Sequence, residues 1–104
     1  MKLSRNQMLS ILKHYFPKSK VKLIIRNRLE PAGTCNARNR IILLRSRIKS
    51  DDFANLPSTY PVLEPGEGKL AVLLHEIGHL KGHNHGKKHE QWEIDEFLKW
   101  RSVL

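Results

Sequence analysis

The chain has 104 residues, of which 39% are hydrophobic, and it carries a formal net charge of +9. A chain of this length can bury one small core, so we expect one domain over residues 1–104. Its longest apolar runs, residues 41–44 and 70–74, are too short to cross a membrane, and the first residues lack the apolar core of a signal peptide. With Cys35 as the single cysteine, no internal disulfide can form. Together these features predict a cytoplasmic protein.

Positive charge is concentrated in the first half of the sequence. Residues 1–50 contain thirteen lysines and arginines and one acid, Glu30, for a net charge of +12, whereas residues 51–104 carry −3. This distribution is typical of proteins that bind nucleic acids, and also of small proteins with a solvated basic face. The basic positions are not interleaved with aromatic residues, which disfavours stacking on single strands. Nucleic acid is thus a candidate partner, contacted through Lys18, Lys20, Lys22, Arg26, Arg28, Arg38, Arg40, Arg45, Arg47 and Lys49.

The N-terminal segment predicts a helix followed by a strand. Ser4-Arg5-Asn6-Gln7 is a capping box ahead of apolar residues at helical spacing. Pro17 should end that helix, because proline cannot continue it. Apolar and basic residues then alternate over Val21–Arg26, which is the spacing of a strand.

Two more strands and a long irregular segment come next. Thr34–Arg38 is expected to form a second strand, joined by a tight connection at Asn39-Arg40 to a third strand, Ile41–Arg45. Four consecutive apolar positions in the third strand predict that both of its faces are covered. Residues 50–68 are rich in proline and glycine and could either line a cleft or serve as a plain linker. Tyr60 in this segment could donate to a reacting carbonyl, although we favour an anchoring role for its ring.

Two helices are expected in the second half. Lys69–Lys81 has apolar residues nearly all round, interrupted only by the polar residues of the motif considered below. Glycines after it allow a turn, and Lys87–Trp100 resumes helical spacing. The sequence therefore predicts an α+β fold with an N-terminal helix, a small three-stranded sheet, a motif-bearing helix and a C-terminal helix.

The segment from His75 to His85 contains the residue types of a zinc site. His75-Glu76-Ile77-Gly78-His79 places two imidazoles four residues apart on one face of a helix, where both can bind one cation. Glu76 is suited to take a proton from metal-bound water. A third imidazole, His85, follows a glycine that lets the chain turn. We therefore predict a catalytic zinc ion bound by His75, His79 and His85, with Glu76 as the base.

The third ligand has alternatives in the sequence. Glu90 or Glu93 could replace His85, because some enzymes with this motif take a glutamate from the following helix. His83 is expected to face solvent, and His89 to lie at the start of the last helix.

These motifs resemble those of the SprT-like and YgjP-like zinc metallopeptidases. The resemblance rests on His75-Glu76-x-x-His79-Leu80 with Asn84-His85-Gly86, and upstream on Gly33-Thr34-Cys35-Asn36-Ala37-Arg38 and the strand after it. It implies a minimal zincin-like peptidase in which the three histidines bind zinc and Glu76 is the base. The chain differs at His89, where the group usually has an aromatic residue.

Other classes share part of this pattern. Metzincins have the same HExxHxxGxxH spacing but need a downstream methionine, and both methionines here, Met1 and Met8, lie upstream. Minigluzincins are similar in size and element order, with a glutamate as third ligand. YbeY-type endoribonucleases share the histidine spacing, but their motif does not require a glutamate at the position of Glu76. A non-catalytic zinc or nucleic-acid-binding module would need a fourth protein ligand.

The predicted reaction is hydrolysis of peptide bonds in a protein or peptide substrate, with one zinc ion as cofactor. A membrane partner is not expected. The tail, Ser102-Val103-Leu104, could reach the cleft and hold such an enzyme latent.

Overall fold

A computed structural model describes residues 3–48, 60–64 and 66–104. The elements follow the order α1 (Arg5–Tyr15), β1 (Lys22–Arg26), β2 (Gly33–Asn36), β3 (Ile41–Arg45), α2 (Gly68–Leu80) and α3 (Lys87–Val103). This is the predicted α+β fold, with helices and strands in the expected order. Lys49 and residues 50–59 and 65 of the predicted irregular segment lie outside the described residues. Within the described ranges, no helix is both long and apolar enough to cross a membrane.

α1 begins and ends where the sequence predicts. Ser4 Oγ accepts a hydrogen bond from the Gln7 backbone N–H (3.1 Å), and Gln7 Oε1 accepts one from the Ser4 N–H (2.8 Å), which completes the capping box. The helix ends at Tyr15, ahead of Pro17. Its inward face buries Met8, Ile11 and Leu12.

The three strands form one mixed sheet in the order β1-β3-β2. β1 is parallel to β3, with Leu23 opposite Ile42, and β2 is antiparallel to β3. On β3, Ile42 and Leu44 are fully buried, whereas the alternating positions Ile41 and Leu43 are half-buried. The sequence predicts that both faces of this strand are covered. The face with Ile42 and Leu44 is covered completely, and the face with Ile41 and Leu43 only partly.

β2 is shorter than predicted and ends at Asn36 rather than Arg38. Asn36 Oδ1 accepts a hydrogen bond from the Asn39 backbone N–H (3.0 Å), and this side-chain bond starts a turn in place of further strand pairing. The turn ends at Arg40 in a left-handed conformation (φ 57°). Four residues, 37–40, therefore connect β2 to β3 instead of the predicted pair.

α2 lies between the sheet and α3 in the core. Gly33 on β2 permits a close approach to α2, because a Cβ at this position would lie 2.6 Å from Val72 Cγ1 and 3.2 Å from Glu76 Cγ. α3 packs against α2 and buries Ile94 and Phe97. The apolar stripe predicted for α2 is buried as expected: Leu70, Leu73, Leu74, Ile77 and Leu80.

Candidate metal centre

The end of α2 and the turn after it bring three histidines together. His75 and His79 are one helical turn apart on α2 and therefore project from the same face. After α2 the chain reverses through Gly82, whose φ of +95° lies in the left-handed region that favours glycine. The His83 backbone N–H donates to the Gly78 carbonyl (2.9 Å) and holds this turn. His85 then returns to the two helical imidazoles.

The Nε2 atoms of His75, His79 and His85 form a tight triangle. The Nε2–Nε2 distances are 3.1 Å between His75 and His79, 3.0 Å between His79 and His85, and 3.4 Å between His85 and His75. Nitrogen ligands about 2.0–2.1 Å from a tetrahedral ion are separated by about 3.3–3.4 Å. The triangle therefore has dimensions that suit one small cation.

The other ring nitrogen of each helical histidine has a fixed partner. His75 Nδ1 lies 2.7 Å from Glu93 Oε1, and His79 Nδ1 lies 2.9 Å from the His83 carbonyl oxygen. A carboxylate and a carbonyl can only accept, so both Nδ1 atoms carry the proton and donate. In the neutral rings, Nε2 then presents a lone pair, and lone pairs that converge in this way favour a cation between them.

Glu76 lies on the same helix and is buried at 7% exposure. Burial raises the pKa of its carboxyl group, while the neighbouring His75 and His79 act in the opposite direction. A carboxylate made more basic in this way is better suited to accept a proton. The Glu93 hydrogen bond raises the pKa of His75, and burial of the ring works in the opposite direction.

His89 is a further imidazole next to this triangle. It is 2% exposed, and neither ring nitrogen has a hydrogen-bond partner among the described residues. Burial lowers its pKa to about 4, so the ring is neutral at pH 7. Ligand atoms of His75, His79 and His89 lie within 4.8 Å of one another, which makes a second possible metal-binding set. We favour the set with His85, because its three Nε2 atoms lie 3.0–3.4 Å apart, which is close to the spacing of nitrogen ligands around one ion.

Glu90 and Glu93, the alternative third ligands, lie in different environments on α3. Glu90 is exposed, so it does not share the buried face of α3 that carries Glu93 and Phe97. Glu93 is buried, but its carboxylate lies against His75 Nδ1, on the side of the ring away from the triangle. Its position is that of a residue that orients a ligand.

The exposure of His83 also differs from the prediction. This residue is half-buried rather than solvent-facing, and its Nδ1 is buried without a hydrogen bond in the described part of the chain. Its ring meets Trp92 edge-on, with 5.1 Å between ring centroids. This contact with α3 explains why the side chain is turned inward while its carbonyl holds His79.

Tyr60 has the anchoring role that the sequence favours. It is 8% exposed, and its ring packs against Phe97 with 5.8 Å between ring centroids. Its hydroxyl makes no hydrogen bond with the described residues. Burial, and then the charge of Glu93, raise its pKa, so the hydroxyl stays protonated.

The structure thus contains a histidine cluster that could hold a metal ion. Comparison of the chain with protein-family models, curated proteins and solved structures found no match. The resemblance to SprT-like peptidases therefore stays a hypothesis.

Proposed function

We propose that the protein is a zinc-dependent peptidase in which His75, His79 and His85 bind the metal and Glu76 is the base. The observation that carries this proposal is the 3.0–3.4 Å triangle of Nε2 atoms on the helix that also carries the buried Glu76. Three neutral imidazoles are a donor set that zinc prefers, and three protein ligands are typical of a catalytic rather than a structural site.

The roles of the protein groups follow from their positions. A bound zinc ion would supply Lewis acidity, polarising a carbonyl group and lowering the pKa of water. Glu76 would accept a proton from the attacking water molecule and then donate it to the leaving amine nitrogen. Glu93 and the His83 carbonyl would keep the His75 and His79 rings in the orientation that presents Nε2.

The sheet offers support for a peptide as substrate. β2 is at the edge of the described sheet, and its Gly33 is next to the side chain of Glu76. An edge strand has unpaired N–H and C=O groups, to which an extended peptide can add as a further strand. A peptide bound there would run close to Glu76.

A non-catalytic zinc module is the second candidate, and His89 is the observation that favours it. The centroid of its ring is 4.7 Å from that of His75 and 4.8 Å from that of His79. If His89 turned toward the triangle, four imidazoles would fill a tetrahedral site and leave no position for water or substrate.

The test is hydrolysis of casein and of structured RNA by the zinc-loaded protein and by Glu76→Gln. We expect cleavage of casein only, and a loss of roughly 100- to 10,000-fold in rate in Glu76→Gln, because the amide cannot accept the proton. Bound zinc, measured by elemental analysis, should be unchanged. The matched control is Glu90→Gln, which alters an exposed carboxylate outside the triangle and should keep full activity.

Three outcomes would contradict the proposal. Undiminished casein cleavage by Glu76→Gln would remove the base from the mechanism. Cleavage of RNA in place of casein would favour the endoribonuclease alternative. Zinc binding without any hydrolysis would favour the non-catalytic module.

A further inference from the structure

A groove with a basic rim lies between the end of α1 and the sheet, and none of its lining residues belongs to the metal centre. Its volume is about 850 Å³, within the range of cavities that hold drug-sized ligands. We name it the basic groove. Its cationic lining residues are Lys13, Lys18, Lys20, Lys22 and Arg40.

The rim cations have no carboxylate partner among the residues that the structure describes. The four lysines are exposed. The acid content of residues 3–48 is limited to Glu30, which does not line the groove. Like charges that gather without counterions create a positive potential, which attracts an anionic partner.

The floor of the basic groove is apolar. Leu9 is 38% exposed, which leaves a large hydrophobic side chain in contact with water at the edge of the groove. Half-buried apolar side chains continue the surface toward the sheet. The apolar lining residues are Leu9, Leu12, Phe16, Val21 and Ile41.

Two observations favour a peptide over nucleic acid as the occupant. The Arg40 guanidinium lies over the Phe16 ring, 4.9 Å from its centroid, so the one aromatic ring of the lining has this face covered and less able to stack on a base. A phosphate backbone would also leave the apolar floor without a complementary surface. Acidic side chains can instead pair with the lysines while apolar side chains cover the floor.

We infer that the basic groove binds a short peptide segment in which acidic residues alternate with apolar ones. Lys20, Val21 and Lys22 all line the groove, so two cations and an apolar side chain are available within three residues for such a peptide. This inference is independent of the proposed hydrolysis, because it concerns a surface outside the metal centre.

The experiment measures fluorescence anisotropy of a labelled peptide in which glutamate alternates with leucine. We expect saturable binding that weakens as salt is added. The double variant Lys20→Glu, Lys22→Glu should weaken binding by about tenfold, because two attractions become repulsions. Leu9→Gln should weaken it about threefold by removing apolar contact on an exposed helical position. The matched control, Arg26→Glu with Arg28→Glu, makes the same change in net charge at exposed sites outside the groove and should bind as the wild type.

Three results would overturn the inference. The first is equal loss of binding in the groove variant and in its matched control, which would indicate a general charge effect. The second is equal affinity for a peptide with serine in place of leucine, which would exclude the apolar floor. The third is tighter binding of a labelled single-stranded oligonucleotide that the groove variant abolishes, which would make this a nucleic-acid site. Circular dichroism of each variant verifies that it is folded.

Discussion

Glu93 fixes the orientation of the His75 ring by bonding to Nδ1, on the side of the ring away from the triangle. Its buried carboxylate accepts the Nδ1–H of His75 at 2.7 Å, and this bond fixes both the tautomer and the direction of the ring. The sequence suggests Glu93 only as an alternative ligand, because spacing along α3 cannot tell which side of an imidazole a carboxylate will meet. The spacing of the motif itself, in contrast, correctly predicts that His75 and His79 project together.

Replacing Glu93 should therefore weaken metal binding without removing a ligand. We expect Glu93→Gln to lower zinc affinity by about 10- to 100-fold, because a neutral amide orients the ring less firmly. Glu90→Gln, on the exposed side of the same helix, should leave affinity unchanged. A competition titration against a chromophoric chelator measures both. A larger loss in Glu90→Gln than in Glu93→Gln would show that the third-ligand alternative at Glu90 is correct.

Gly78 makes room for His89. A Cβ at Gly78 would lie 2.6 Å from His89 Nδ1 and closer still to its Cε1. The motif does not specify the residue at position 78, so the role of Gly78 becomes visible only when α3 packs against α2.

Gly78→Ala should accordingly destabilise the fold by about 1–3 kcal/mol through overpacking. In a His89→Ala background the contacts with His89 are removed and only Trp92 Cζ3 stays close, at 3.2 Å, so the same substitution should cost less than about 1 kcal/mol. Denaturant unfolding of the four proteins in this cycle gives both values. The same cost in both backgrounds would mean that His89 is not what Gly78 accommodates.

At the scale of elements, local rules predict the starts of the helices better than the extent of β2. The capping box and Pro17 predict α1 correctly, and α2 is shifted by only one residue from the predicted Lys69–Lys81. The predicted second strand is wrong at its end, because the Asn36 side chain bonds to the backbone three residues on. Apolar and polar spacing does not reveal such a bond.

The C-terminal part of α3 is fixed to the start of α2. Arg101 donates to both carboxylate oxygens of Glu67, at 2.8 and 2.7 Å, and to the Val62 carbonyl at 2.7 Å. Glu67 precedes α2, whereas His79 lies twelve residues further on, about 18 Å along the helix axis. The tail after Arg101 therefore starts far from the histidine triangle, and the expectation that it covers the site gains no support.

This ion pair should make stability depend on pH. The Arg101 hydrogen bonds lower the pKa of Glu67, so its folded-state pKa lies below the unfolded value of about 4.3. The pair then contributes stability above that value and loses it as the pH falls through the folded-state pKa. We expect Glu67→Gln to cost roughly 1–3 kcal/mol at neutral pH, and this cost should shrink as the pH falls through the folded-state pKa of Glu67. Thermal unfolding across pH measures the difference, with Glu64→Gln, an exposed neighbour, as the control. A cost that does not change with pH would exclude the ion pair as its source.

At the scale of the whole molecule, the chain order of the elements is predictable but the sheet order is not. Alternation and turn residues locate three strands, yet the parallel pairing of β1 with β3 depends on contacts between distant segments. The charge asymmetry is likewise visible in the sequence, whereas the basic groove is formed only when α1 and the sheet meet. The histidine triangle depends partly on local sequence and partly on the fold. The motif predicts its two helical members, and the turn at Gly82 brings His85 to them.

The zinc site is tested most directly by a crystal structure of the zinc-loaded protein with anomalous scattering measured at the zinc edge. We expect one zinc ion bound by Nε2 of His75, His79 and His85, with the fourth position not occupied by a protein atom and Glu93 still bonded to His75 Nδ1. A zinc ion bound by His89 as a fourth imidazole, or by a glutamate in place of His85, would contradict this expectation.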